Sequence, residues 1–534
     1  MKKTFKFFMC AAIVAAGFVG CSNEEVTPGG GNTDNGGILT KGETSATFAF
    51  SVSGSSATKA LYPDATSENT NVVGFRVLLY DAGTGDLELD TVKTIAANDS
   101  LMTARVISGQ KYIYVYVNGP QTSEMGIPAN GAITGWGTNN FNPSYRLVTG
   151  SPSPYFTDLI NMHSLYPAGP TVNHFFYSST TRQDEQIRTL IPAVVADSSR
   201  VPTNQNYVNV NVDRAVAKVS VTKTVPSGPN AGAGEIITLD TLGKITPTSV
   251  QYHIFGANVA TFPFQKWVSG VLTTPEYLPN QKIDPATPLH YARALGATAA
   301  NTRIAVATRS GVPTGSFYYV PENNPSSKRK GNTTIAAVEA VYLPMGGSYA
   351  TAVSYNNASQ TFALTKPSAN MTAPTDMYLF VLTGILGVPE RTLFVGTDAK
   401  LLAKKVLYHI QNPNVAELGT LSSYEALIAD LAVGVQQSPV ANTFEDNFLH
   451  YIAGKSYYRL PFGEQSGTGD ESTIDPMVRR NYYYDANISA FKQLGENYAN
   501  KTVEPEDEPV KGVTYLSVHI IIRDWTGKEQ NVII

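Results

Sequence analysis

Hydrophobic and polar residues alternate along much of this chain, and two such runs stand near its ends. The first is Thr44-Ser-Ala-Thr-Phe-Ala-Phe-Ser-Val-Ser53, where Ala46, Phe48, Phe50 and Val52 share one parity among small or polar neighbours. In the second, residues 512–523, Leu516, Val518, Ile520 and Ile522 fall on one face, and Thr514 continues it. Tyr515, Ser517, His519 and Arg523 take the other face. A period of two is the spacing of a β-strand, so each run predicts a strand with one apolar side. An acidic, Pro-flanked stretch, Val503-Glu-Pro-Glu-Asp-Glu-Pro509, precedes the second run. It is expected to be an extended, solvated spacer. A long apolar strand on such a tether can complete its own sheet or that of another chain.

Between these runs the same pattern recurs. Residues 72–80 predict a strand, and Asp81-Ala-Gly-Thr-Gly-Asp86 a hairpin turn. In residues 111–119, Ile113, Val115 and Val117 share one face and the tyrosines the other, which suits a central antiparallel strand. In residues 207–221, Val208, Val210 and Val212 share one parity, while Ala215, Ala217, Val219 and Val221 share the opposite one. The switch near Asp213 and Arg214 predicts a bulge or a crossing between domains, and the domain boundary is placed there. Further strands are predicted over 248–255, 336–343, 377–383 and 455–460. Residues 422–431 read as the clearest helix, with a Ser N-cap and Leu427 and Leu431 at i, i+4, inserted on the β scaffold. The basic loop 326–331 reads either as a nick site or as a solvated hairpin end.

The N-terminus carries different signals. Met1-Lys-Lys-Thr-Phe-Lys is a basic segment, and residues 7–19 are an apolar stretch too short for a membrane span, as in a secretory signal. It ends in Phe18-Val-Gly-Cys21, similar to a lipobox with Phe18 in place of the usual Leu. Cys21 is therefore the candidate lipidated residue, an ordinary signal peptide with an incidental Cys being the alternative. Residues 27–42 are rich in Gly, Asn and Thr and predict a flexible tether. After the first alternating run, residues 54–58 are small and polar, as in loops that proteases cut, and Lys59 follows. A plain first strand with a plain Lys in its turn fits that stretch as well.

Composition narrows the class. A chain of 534 residues exceeds one core and suggests two or three domains. Charged residues are only 15%, and 29 Tyr with 22 Phe accompany many Gly and Pro, which favours an all-β extracellular protein. The net charge of −4 leaves no footprint for nucleic acid. The two cysteines, Cys10 and Cys21, lie at the extreme N-terminus, so no disulfide ties the body and no Cys-based metal site exists there. Beyond the first twenty residues no run is long enough to span a bilayer. The seven histidines are scattered, with no His-x-x-x-His pair, and no nucleophile elbow or phosphate-binding Gly loop occurs. Ser466-Gly-Thr-Gly-Asp-Glu471 lacks the EF-hand spacing for calcium. Tyr482-Tyr-Tyr484 could stack on sugars, but successive residues of a strand alternate faces, which favours packing. No catalytic, metal-binding or cofactor-binding residue is assigned, no cofactor is expected, and the chain does not read as an enzyme.

Residues 478–495 carry Val478, Arg480, Asn481, Tyr484, Ile488, Leu494 and Gly495 in a pattern followed by the spacer and Leu-Ser-Val-x-Ile-x-Ile-x-Asp-Trp525. This resembles the major fimbrial subunits of Bacteroidales, the fimbrillin or type V pilin family, and most of all its short-fimbria major subunit branch. Asp213-Arg-Ala-Val-Ala-Lys-Val219 and residues 110–118 are similar to other family segments, as is the order of lipobox, tether, first strand and Lys59. Asn23-Glu-Glu25 resembles the acidic surface signal of Bacteroidetes lipoproteins. The likeness is good over the last sixty residues, thin elsewhere, and does not extend over 260–450, where insertions are expected.

The resemblance implies an all-β fold of two transthyretin-like β-sandwich domains in tandem with small helical insertions. It divides the chain into a signal peptide (1–20), a propeptide (21–59), an N-terminal domain (60–212), a C-terminal domain (213–502) and a spacer with donor strand (503–534). It also implies an assembly route. A precursor lipidated at Cys21 reaches the outer membrane, and a trypsin-like surface protease cuts beyond the first strand, between Lys59 and Ala60. Lys41 competes as the cut, but cleavage there would leave the first strand in place. The vacated groove then takes the terminal strand of another copy, so the implied partners are further copies, other fimbrial subunits, the protease and the membrane. The implied role is a structural subunit of a surface fimbria that supports adhesion and colonisation. An anchor or tip subunit, and a surface glycan-binding lipoprotein, are the alternatives.

The physics of such an exchange is favourable. Losing the strand with Ala46, Phe48, Phe50 and Val52 would expose an apolar trough and unpaired backbone, and a donor strand would restore both. Burying Leu516, Val518, Ile520 and Ile522 at about 1.5–3 kcal/mol each stabilises by roughly 6–12 kcal/mol as an upper bound. Twelve extended residues reach about 40 Å, the length of a domain. Head-to-tail donation need not close and so builds a filament. Trp525 and Val532-Ile-Ile534 either extend the donor strand or fold back on it.

Overall fold

The computed structural model describes residues 42–52, 74–94, 101–117, 147–148, 177–179, 187–192, 206–224, 238–239, 243–246, 249–258, 260–261, 264–268, 270–274, 291–292, 304–305, 307–308, 317–381, 384–427, 448–466, 473–491, 493–497, 510 and 516–524. These residues are mostly strand, with two α-helices and one 3-10 turn among them. The class is all-β, as the alternating patterns predict.

In the first half, strands Leu87–Thr94, Gly74–Asp81, Gly109–Val117, Tyr177–Ser178, Tyr207–Arg214, Glu43–Val52 and Met102–Ile107 follow one another across an eight-stranded sheet, with Ile187–Leu190 added beside Gly109–Val117. Glu43–Val52 and Gly74–Asp81 are separated by three strands in that order. Laid flat at the usual spacing they would lie about 19 Å apart. Yet the rings of Phe50 and Phe75 are 5.1 Å apart. The sheet therefore curls until its two arms face each other across a core containing Ala46, Phe48, Phe75, Val77, Leu79, Ile113, Val115 and Val117.

The tyrosine face of Gly109–Val117 is buried as well. Phe264, from beyond the parity switch at Arg214, packs edge-on against Tyr114 and Tyr116 at 5.6 and 6.1 Å. Aromatic rings give that second face enough apolar area to be covered rather than solvated. The predicted hairpin forms where Asp81 Oδ1 accepts from the N–H groups of Gly83 and Thr84, each at 2.9 Å. Gly85 supplies the positive φ of 78° that the turn requires. Lys111, fully buried, reaches Asp81 and Glu88 at 2.6 and 2.7 Å.

The parity switch has a structural meaning. Tyr207–Arg214 belongs to the eight-stranded sheet, and after Ala215 the chain enters Val216–Lys223, a strand of a different, five-stranded sheet. One residue outside both ladders reverses which parity faces inward. In the five-stranded sheet Val216–Lys223 pairs parallel with Tyr482–Phe491 and antiparallel with Phe317–Pro321. A six-stranded sheet centred on Ile335–Pro344 faces it. Val219, Tyr484 and Ile488 of one sheet share a core with Tyr252, Val338 and Tyr458 of the other, which makes a β-sandwich.

A third layer lies between residues 349 and 451. The helix Ala399–Gln411 buries Leu402, Ala403 and Val406 against Phe380 and Phe394 of a four-stranded sheet. This helix was not among the predicted elements, although Leu402, Val406 and Ile410 carry its i, i+4 spacing. Of the predicted helix 422–431, residues 428–431 lie outside the described ones; the rest is helical within Leu421–Leu427, where the inward residue is Tyr424 and Leu427 is 57% exposed. The Tyr424 hydroxyl meets His409 Nε2 at 2.7 Å, so a polar contact sets the helix face that the leucine spacing alone does not.

Candidate functional site

The strand Glu43–Val52 lies inside its sheet. Its first half pairs antiparallel with Met102–Ile107, from Glu43 opposite Ile107 to Phe48 opposite Met102. Its second half pairs parallel with Tyr207–Arg214, from Thr47 opposite Tyr207 to Val52 opposite Val212. Thr47 and Phe48 belong to both ladders, so the strand bridges two neighbours that are staggered along it. Ala46 and Phe48 have no exposed surface, and Phe50 packs partly buried on Phe75. Ser45, Thr47 and Ala49, of the opposite parity, are buried too. The predicted polar face is therefore not a solvent face. Small residues allow it to be covered, and Thr47 Oγ1 lies 3.3 Å from Thr103 Oγ1. Taking this strand away would leave backbone groups on both neighbours without partners and open the core beside Phe75.

A residue outside the predicted set holds the strand in place. Asn206, 1% exposed, precedes Tyr207–Arg214. Its carbonyl accepts from the Thr47 N–H at 3.1 Å. Its Nδ2 donates to Thr44 Oγ1 at 2.8 Å and to the Ser45 carbonyl at 3.1 Å. The other end of the contact is fixed by Ile191, whose N–H donates to Asn206 Oδ1 at 2.9 Å and whose carbonyl accepts from Nδ2 at 3.0 Å. In sequence, Asn204-Gln-Asn206 ahead of an alternating strand reads only as a turn.

The terminal strand, Leu516–Asp524, pairs antiparallel with Tyr482–Phe491 and stands last in its sheet. Leu516, Val518, Ile520 and Ile522 lie opposite Phe491, Ile488, Ala486 and Tyr484 in register. Among the described residues it thus has one neighbour, and in the full-length chain both apolar strands are seated in the same polypeptide, each in a different sheet.

Two residues of the 478–495 pattern tie the sheets together. Arg480 and Glu322 form an ion pair with no exposed surface, and Arg480 also donates to Ser178 Oγ at 2.8 Å. The Asn481 N–H donates to the Val216 carbonyl at 2.9 Å, and its Nδ2 to Asp213 Oδ1 at 2.9 Å. Asn481 holds φ at 62°, a left-handed conformation that Asn tolerates better than most residues. These contacts sit where the chain passes between the two sheets.

Cys21, Lys41, Lys59 and Ala60 lie outside the described residues, as does the side chain of Val52. In the 326–331 loop, Lys328 pairs with Asp475, and Asn332 closes the turn by accepting from the Arg329 N–H at 2.8 Å. The Val510 N–H donates to the Lys328 carbonyl at 3.2 Å, which puts Val510 beside this loop. Tyr484 is buried in the sandwich core, and the Tyr483 hydroxyl lies 2.8 Å from Ser220 Oγ. Among the described residues no group of three or more His, Cys, Asp or Glu is placed to hold a metal, and no helix is long and apolar enough to cross a membrane.

Residues 450–531 match the family described as major fimbrial subunit protein type IV, Fimbrillin, C-terminal. That stretch holds Arg480, Asn481 and the terminal strand. No curated protein matches the chain in sequence. Among solved structures, a candidate cell adhesion protein of Parabacteroides distasonis is similar at 13% identity and a TM-score of 0.40, over 91% of this chain and 100% of that one. A fimbrilin of Porphyromonas gingivalis is similar at 12% identity and a TM-score of 0.38, over 90% and 97%. The tip fimbrial protein Mfa3 of the same organism, truncated at its C-terminus, is similar at 12% and 0.32, over 90% and 100%.

Proposed function

We propose that this chain is the precursor of a polymerising subunit of a surface fimbria, assembled by exchange of its two apolar strands. The observation that carries the reading is the interior position of Glu43–Val52, between Met102–Ile107 and Tyr207–Arg214, with Ala46 and Phe48 wholly buried. A strand so placed keeps the sheet closed to any other chain. The fimbrillin match over residues 450–531 supports the same reading from the other end.

In this account the precursor is lipidated at Cys21 and carried to the outer membrane. A trypsin-like protease cuts between Lys59 and Ala60, and the first strand leaves with the propeptide. Leu516, Val518, Ile520 and Ile522 of another copy fill the trough left by Ala46, Phe48, Phe50 and Val52. The donor is heterologous, so copies add head to tail into a stalk that serves adhesion. N-terminal sequencing of the surface form tests the cut: a start at Ala60 is expected, and a start at Cys21 or Gly42 would overturn the Lys59 assignment.

A further inference from the structure

We propose that Asn206 sets the register of the incoming strand, acting as a polar latch at one end of the groove. The inference rests on the strand-exchange reading and adds to it a fixed alignment of the two partners.

In the full-length chain Asn206 reads three features of the first strand: the Thr44 hydroxyl, the Ser45 carbonyl and the Thr47 N–H. Only the first depends on the side chain present, so a hydroxyl at that position is what Asn206 can select. The terminal strand has one in the matching place. When Leu516 takes the place of Ala46, Thr514 falls on Thr44, Ser517 on Thr47, Val518 on Phe48, Ile520 on Phe50 and Ile522 on Val52. The groove then regains a hydroxyl for Asn206 Nδ2 and a second one opposite Thr103, where Thr47 now stands. The strand direction is preserved as well, parallel to Tyr207–Arg214 and antiparallel to Met102–Ile107.

The neighbouring registers that keep the apolar parity fail. A shift of two residues one way puts Gly512 beside Asn206 and Thr514 in the apolar place of Ala46. The opposite shift puts Leu516 beside Asn206 and Asp524 in the place of Val52. Apolar side chains at period two tolerate such slips, because each step exchanges one aliphatic group for another. A buried carboxamide tolerates them less, since its shortest contact, the 2.8 Å bond to a hydroxyl, is lost and its two hydrogens are left with the Ile191 carbonyl and the strand's own carbonyl. Anchored on one side by Ile191, Asn206 is held for this contact before a strand arrives.

Cysteine cross-linking of full-length chain, cleaved with trypsin and assembled under reducing conditions before oxidation, tests the register. Cys10 and Cys21 precede the cut and leave with the propeptide. Chains carrying Thr103→Cys are combined with Ser517→Cys, Tyr515→Cys or His519→Cys, three positions of one parity. The Ser517→Cys pair is expected to give a covalent ladder, with the other two at background. Filaments that cross-link through Tyr515→Cys or His519→Cys instead would overturn the Asn206 register and leave strand exchange standing. Filaments that cross-link through none of the three would likewise overturn the Asn206 register, and residues 516–524 found still paired with 482–491 of their own chain in those filaments would overturn strand exchange itself. Thr514→Val, outside the groove-bearing domain, is expected to slow assembly about fivefold and to raise the share of cross-links at the two flanking positions. Assembly at the unchanged rate with the unchanged pattern would refute the latch.

Discussion

Among the described residues the Glu43–Val52 strand has a neighbour on each side, whereas the Leu516–Asp524 strand has one. Both carry four apolar residues at period two, so sequence makes them nearly equivalent. Their surroundings do not. Withdrawing the first would unpair two strands and open a core lined by Phe75, Val77 and Val115. Withdrawing the second would unpair only Tyr482–Phe491 and turn an inner strand into an edge. On the proposed reading the interior strand is the closure and the edge strand the donor. A chain that must stay monomeric until cut is safest with its closure in the middle of a sheet and its donor on an edge, where ladder bonds on one side only must break.

The largest effects should come from removing or immobilising either strand. Deletion of 512–534 is expected to give a folded, cleavable monomer that forms no filaments, as judged by sedimentation and electron microscopy; filaments from the truncated chain would break the comparison outright. Linking the first strand to its neighbour should be as severe and reversible. Thr47 and Thr103 face each other with their hydroxyls 3.3 Å apart, so Thr47→Cys with Thr103→Cys is expected to block assembly after cleavage and to release it on reduction. Lys59→Ala should leave an uncut, monomeric precursor, read by mass spectrometry of the surface form.

Smaller effects sharpen the contrast. Phe48→Ala should destabilise the precursor by about 3–5 kcal/mol in denaturant unfolding, yet leave assembled filaments unchanged, because the mutated strand is no longer in them. Acid should act on the sheet that holds the first strand. The Asp81 carboxyl is held at about 2 by its hydrogen bond from Lys111 and by the Thr84 and Gly83 N–H groups. A lowered folded value means its share of stability is complete above about 4 and is lost as pH falls through about 2. Melting temperatures between pH 5 and 2 should therefore fall, and Lys111→Met should flatten that slope.

Much of the fold was legible because period two is read directly from side-chain order. The strand over 72–80, the central strand with Ile113, Val115 and Val117, and the parity switch near Arg214 all follow from it. The switch is legible as a place but not as a cause, since a bulge and a change of sheet look alike in one dimension; Ala215 leaving both ladders decides between them. The helix Ala399–Gln411 was overlooked because its apolar stripe is interrupted by Lys404 and Lys405, whose ammonium groups turn to Glu425 and Glu417. The two apolar strands were legible as a pair, but their interior and edge positions were not, since neighbours come from residues far away in sequence. Asn206 was illegible for the same reason: its partners are Thr44 and Ile191, 162 and 15 residues away.

Electron cryo-microscopy of filaments grown from the cleaved chain, at a resolution that identifies side chains, tests the exchange most directly. The account predicts that the groove between Met102–Ile107 and Tyr207–Arg214 holds Leu516–Asp524 of a neighbouring copy, with residues 43–52 absent. Density for Phe48 still beside Phe75, with Ile520 paired to Ala486 of its own chain, would contradict it.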